Sequence, residues 1–169
     1  MGVVYTRGAV AEAPGYSLLA QAITLQPVTR LSHDAIAALI PHHGAMCLLE
    51  EVLSWDAREI TCRASNHRNP GNPLREHDVL HAICGVEYAA QAMAVHGALV
   101  HGSAMRRGVL ASVREVSMRV QRLDDIAEDL VVTARTLLGD EAHLLYEFTI
   151  AAGEREILQG RAAVVLLER

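Results

Sequence analysis

The sequence predicts an α+β chain in which a curved antiparallel sheet wraps around one long helix. Three observations predict it. Residues 82–101 are rich in Ala and Met, lack an interior proline and leave almost no wide polar face, as expected of a helix enclosed on most sides. Two β-compatible runs precede that helix and four follow it, joined by the polar and glycine residues that tight turns use. A chain of 169 residues fits one domain and is large enough to bury a real core.

Residues 1–30 show no sustained periodicity and are broken by Pro14, Gly15 and Pro27, so they read as an N-terminal arm with a short helix near "SLLAQAI". Residues 31–169 read as a single domain. Ser32 is a suitable N-cap for "HDAIAALI", a short helix that must stop before Pro41. A turn at "PHHG" delivers the chain into a first strand over 46–55, and "EITCRASN" supplies a second through the polar turn at Asp56 to Arg58. The Pro, Gly and Asn content of 66–81 marks a loop leading into the 82–101 helix. After the break at "HGSAMRRG", strands are expected at 108–121, 129–138, 142–152 and 157–168.

Composition narrows the function classes. Hydrophobic residues make up 51% of the chain but aromatic ones only 4%, so Ala, Val, Leu and Ile must fill the core and subunit association is expected to add burial. A net charge of −5 with scattered Arg and Lys lacks the basic stripe of a nucleic-acid binder, so no nucleic-acid partner is expected. Cys47, Cys62 and Cys84 are odd in number and widely spaced, which favours buried thiols in a reducing cytoplasm over disulfides or zinc. By this reading no apolar run approaches the roughly 20 residues of a membrane span, and no membrane partner is expected. His42 and His43 are adjacent, and His96 and His101 lie off the spacing that shares a helix face, so neither pair predicts a metal site. No phosphate loop, dinucleotide fingerprint or nucleophile elbow occurs, and no cofactor is implied.

Two stretches carry a family resemblance. "IPHHGAMCLLEEVLSWD" is similar to the opening of the β-hydroxyacyl-acyl carrier protein dehydratases, where a Leu-Pro-His-Arg-like turn precedes an apolar strand ending in acidic residues. "GVEYAAQAMAVHGA" resembles their central helix, in which an acid is followed one turn later by Gln in an Ala-rich setting. The resemblance covers about residues 33–168 and is greatest to the divergent dehydratase-like proteins of aryl-polyene and related pigment pathways. It implies the hotdog fold and removal of water from a 3-hydroxyacyl thioester carried by acyl carrier protein or coenzyme A. It also implies a homodimer or higher homo-oligomer, or a heterodimer with another hotdog subunit, whose acid and base meet across the interface. Two other readings keep the fold: an acyl thioesterase, and a non-catalytic subunit that pairs with an active dehydratase.

Dehydration requires a base for the proton beside the carbonyl and an acid for the departing hydroxyl. Donors aimed at the thioester oxygen lower the barrier further. The resemblance places Glu87 as the acid; the alternative is that it caps the helix or pairs with an arginine, since an acid in an apolar helix is costly unless used or paired. Gln91, one turn on, would orient Glu87 or serve as an ordinary amide bonded to backbone. His67 in "HRNPGNP" corresponds to the family's base, although Asn69 interrupts the pattern and "LREHDV" lengthens the stretch to Glu87. His81, at the helix entry, is the second candidate base. Ala82 to Gly85 would supply backbone N–H donors at the helix N-terminus, with Gly85 permitting close approach, or would simply pack.

Overall fold

The computed structural model describes residues 30–102, 108–140 and 142–167. The expected N-terminal arm and its short helix lie outside the described residues, except for Arg30. Among the described residues the elements run β1 (Leu31–Ser32), α1 (His33–Leu39), β2 (Glu51–Trp55), β3 (Glu59–Ala64), α2 (Gly85–His101), β4 (Gly108–Met118), β5 (Leu130–Gly139), β6 (His143–Ala152) and β7 (Arg155–Leu166). Short 3-10 turns occupy Gly44–Met46, Asn66–Arg68 and Ala82–Cys84. The strands form one seven-stranded antiparallel sheet in the order β1-β2-β3-β5-β6-β7-β4. The chain therefore leaves β3 in the middle of the sheet, runs through α2, and returns as β4 at the far edge.

Local chemistry accounts for the turns. Asp56 Oδ1 accepts from the backbone N–H groups of Arg58 and Glu59 at 2.6 and 2.9 Å, closing the β2–β3 hairpin. Asp140 Oδ1 does the same for Ala142 and His143 between β5 and β6. Gly102 ends α2 in the left-handed region at φ 61°, its N–H returning to the Ala98 carbonyl. Ser32 stands at the N-cap of α1, as its sequence predicts, but its side chain makes no capping bond.

The core is aliphatic around a few large rings. Tyr88, Tyr146 and Phe148 are fully buried among Ile36, Leu48, Leu49, Ile60, Leu80, Leu123, Leu130, Ile150 and Ile157. Fully burying a Leu, Ile or Phe side chain contributes about 1.5–3 kcal/mol, so this cluster holds α2 against the sheet.

Three expectations change. The strand expected over 46–55 begins at Glu51, because the preceding backbone at Met46 and Leu48 bonds to a helix side chain, Gln91. Cys84 is half-buried, unlike Cys47 and Cys62; all three thiols are free, and burial pushes Cys62 up to about 12. The stretch Ala82–His101, at 20 residues, is long and apolar enough by length and composition to cross a membrane, contrary to expectation. Half of its most apolar window is buried inside the fold, so its apolar character is that of a core helix.

Candidate active site

The site begins at the stretch between α1 and β2. α1 ends at Leu39, Pro41 prevents its continuation, and Gly44 takes a positive φ of 57° to start the following 3-10 turn. Cys47, Leu48 and Leu49 are buried and anchor the segment. Gln91 of α2 then fastens it. Its Oε1 accepts from Leu48 N–H at 2.9 Å, and its Nε2 donates to the Met46 carbonyl at 2.8 Å and to Glu87 Oε1 at 3.0 Å. This network fixes the amide orientation, since the flipped amide would face donor to donor and oxygen to oxygen. Gln91 is thus a buried amide bonded both to backbone and to Glu87.

The same anchoring sets His42 over Glu87, with Nε2 3.3 Å from Oε1. Each side chain is about a third exposed, at 31% and 33%. Oε1 takes both contacts, and among the described residues Oε2 accepts no hydrogen bond. No described arginine forms an ion pair with Glu87, and no side-chain capping bond forms at the start of α2. His42 Nδ1 is buried without a hydrogen-bond partner among the described residues.

Glu87 and His42 lie in the wall of a cavity of about 440 Å³, a size typical of small-molecule sites. It extends along one face of α2 past Ala90, Ala94 and Gly97, with Tyr146, Leu144 and Val164 from β6 and β7 also lining it. Gly108, Val109 and Leu110 of β4 complete it on the sheet edge.

The other expected residues go elsewhere. His67 does not share this cavity: it is fully buried after β3, its Nε2 3.1 Å from the Ile126 carbonyl. Burial there lowers its pKa, and neighbouring Arg68 adds to the shift. The expected base is thus enclosed by protein and set apart from the cavity that holds Glu87. His81 is exposed, does not line the cavity within this chain, and bridges through its backbone to Arg122. Ala82 and Gly85 are not free oxyanion donors. Ala82 N–H donates to the Gln121 carbonyl at 2.9 Å, and Gly85 N–H returns to the 3-10 turn at Ala82 and Ile83. Gly85 instead serves packing, since a Cβ there would stand 3.0 Å from Ile150 Cδ1 and 3.1 Å from Leu158 Cδ1.

His42 is the residue that sequence reasoning passed over. The available signal was "PHHG" itself, a histidine pair beside a helix-stopping proline in one of the two stretches that carried the resemblance. Among the described residues no three His, Cys, Asp or Glu side chains gather as metal ligands.

An antiparallel sheet packed on one long central helix, with an acid near the start of that helix, defines a hotdog-fold protein. The family model described as ApeP-like, ApeP dehydratase, matches residues 34–168, and the chain belongs to that family. No curated protein is a sequence match. Among solved structures, the dehydratase heterocomplex ApeI:P from Xenorhabdus doucetiae is similar over 82% of this chain and 93% of its own, with 22% identity and a TM-score of 0.72. The PaaI protein of E. coli, from the phenylacetic acid degradation operon, aligns over 79% of this chain and 88% of its own, at 16% identity and a TM-score of 0.56. Zebra fish thioesterase superfamily member 2 aligns over 81% and 99%, at 16% identity and 0.55. These likenesses establish the shared fold.

Proposed function

We propose that the protein dehydrates a 3-hydroxyacyl thioester to the trans-2-enoyl thioester, with Glu87 and His42 as its proton-handling pair. The observation that carries this reading is the Glu87 carboxyl group, held by Gln91 and faced by His42, in the wall of an apolar cavity. His42 takes the proton from the carbon beside the carbonyl, and that electron pair forms the double bond. The carbon–oxygen bond breaks as Glu87 gives its proton to the departing oxygen, releasing water. The proton on His42 then passes to Glu87 across their 3.3 Å contact, restoring both groups. That separation is looser than a hydrogen bond, as is common before substrate closes a site.

The thioester is carried by acyl carrier protein or coenzyme A, in a fatty-acid-like or aryl-polyene assembly in the cytoplasm. The family and its likeness to a dehydratase heterocomplex support a second hotdog subunit, either another copy or a different chain. Edge strand β4 is where we place it. Val109, Leu110 and Met118 are exposed there, an edge left unpaired among the described residues invites strand addition, and Val109 and Leu110 also line the cavity. A subunit on that edge would close the cavity from outside.

Thioester hydrolysis is the second reading, favoured by the water access at Glu87 and His42. One assay separates the two: incubation with 3-hydroxyacyl and enoyl thioesters, followed by enoyl absorbance and by free thiol. Interconversion with its absorbance change supports dehydration, and thiol release supports hydrolysis. If the chain gives neither product alone but forms a stable complex with an active hotdog dehydratase, it is a non-catalytic partner and the assignment of Glu87 and His42 is overturned.

A further inference from the structure

The two described glycines inside α2 have different reasons to be there. At Gly85 a Cβ would press on Ile150 and Leu158, so packing requires the glycine. At Gly97 a Cβ would meet nothing within 4 Å among the described residues, and the φ is not positive. A glycine in a helix interior costs stability relative to alanine, and here neither packing nor backbone geometry accounts for it. What Gly97 does face is the cavity.

Tyr146 lines the same cavity, and its ring is held by His96, the chain neighbour of Gly97. Its hydroxyl lies 2.9 Å from His96 Nδ1, the rings meet edge to face at 82°, and His96 Nε2 lies 3.0 Å from the Asp56 carbonyl. Because a carbonyl only accepts, His96 carries its proton on Nε2, so Nδ1 accepts from the tyrosyl O–H. Both side chains are buried, at 2% exposure each. Glu87 and Gly97 are separated by ten residues of helix, about 15 Å of rise. Ala90 and Ala94, both small, line the wall between them.

We propose that Gly97, in the cavity that Tyr146 also lines, sets the length of acyl chain that the cavity admits, the chain lying along α2 with its reacting carbons at Glu87 and its tail reaching Gly97. This inference rests on the reading of the cavity as an acyl-thioester site and adds the residues that define its reach. The substrates it favours extend about 15 Å beyond the reacting carbons. Shorter chains leave the Gly97 end unfilled.

The test uses 3-hydroxyacyl thioesters in a length series, from butyryl to myristoyl, with the full-length chain and its Gly97→Ala and Gly97→Val variants. The expected result is unchanged kcat/KM for the shortest substrates and a loss of about tenfold or more for the longest, the scale of one methylene in an apolar pocket. Tyr146→Leu should move the limit toward longer chains. Should that variant fail to fold, Gly97→Ala still decides, because its added methyl meets open space. Loss spread evenly over all lengths, no loss at any length, or a change of oligomeric state in Gly97→Val would overturn the proposal; the last would mean that a partner subunit fills the space. Thermal stabilisation by non-hydrolysable acyl-pantetheine thioethers of the same lengths is measured in parallel. A length limit that moves in binding while no thioester is turned over would refute the dehydratase reading and leave the length determinant standing.

Discussion

α2 turns two unlike faces to its surroundings. Gly85, Tyr88, Ala89, Ala92 and His96 are buried, Gly85 against β6 and β7 and His96 against Tyr146 of β6; Glu87, Ala90, Ala94 and Gly97 line the cavity. On the first face neighbouring atoms dictate each residue: the close approach to Ile150 demands Gly85, and Asn66 and Asn72 complete the Tyr88 hydroxyl at 2.8 and 2.9 Å. On the second face the surroundings dictate little, and what is conspicuous is a carboxylate and a row of small side chains. The contrast teaches that packing among the described residues explains one side of this helix, while the other side lines open space and carries the carboxyl group.

The largest expected effect lies on the cavity face. Glu87→Gln should lower turnover at least about a hundredfold, the scale of general acid–base groups, while leaving the melting temperature within experimental error. Steady-state kinetics and thermal denaturation on one preparation check both halves, and equal loss of activity and stability would erase the distinction between the faces.

The sheet face should respond in the opposite currency. Gly85→Val drives new carbon toward Ile150 and Leu158 and is expected to destabilise the fold by about 1–3 kcal/mol, read from urea unfolding. A neutral result would mean that α2 sits less tightly on the sheet than its geometry implies.

Acid should also strike the packed regions first. Burial lowers the pKa of His67 and of His96 below the ordinary 6.5, so each stays neutral in the fold at pH values where the unfolded chain is protonated. In that window the unfolded state binds more protons, and stability rises with pH. Their contribution is therefore present above about 6.5, falls as pH drops below it, and stops falling below the folded values. His67→Gln should flatten this slope in unfolding experiments between neutral and mildly acidic pH; an unchanged slope would show that His67 does not contribute.

The smallest effect has the opposite sign. Gly97→Ala should stabilise the fold by roughly 0.5–1 kcal/mol, because it relieves the helix of a glycine without meeting a neighbour among the described residues. Destabilisation would show that something occupies the space beside Gly97.

The sequence is informative about the fold and only partly so about the site, for a physical reason. Residues 82–101 announce their burial through composition, and the turns at Asp56 and Asp140 follow from side-chain acceptors two and three residues from their donors. Such signals are local. Glu87 and Gln91 are legible for the same reason, being one helical turn apart, which is the spacing at which helix side chains meet. His42 was not legible, because its place depends on Met46 and Leu48 bonding to Gln91 across more than forty residues of chain. Ala82 looked like a free donor until the distant Gln121 carbonyl claimed its N–H. His67 had the right sequence neighbours, yet the segment carrying Ile126 closes over it. The two-residue strand β1 is too short to show any alternation.

The central claim is that Glu87 and His42 work as one unit, and a double-mutant cycle on turnover of a 3-hydroxyacyl thioester tests it most directly. Groups that act together are strongly non-additive. Glu87→Gln combined with His42→Gln is expected to be no slower than the slower single variant. Losses that multiply in full would contradict it and assign the two residues to independent roles.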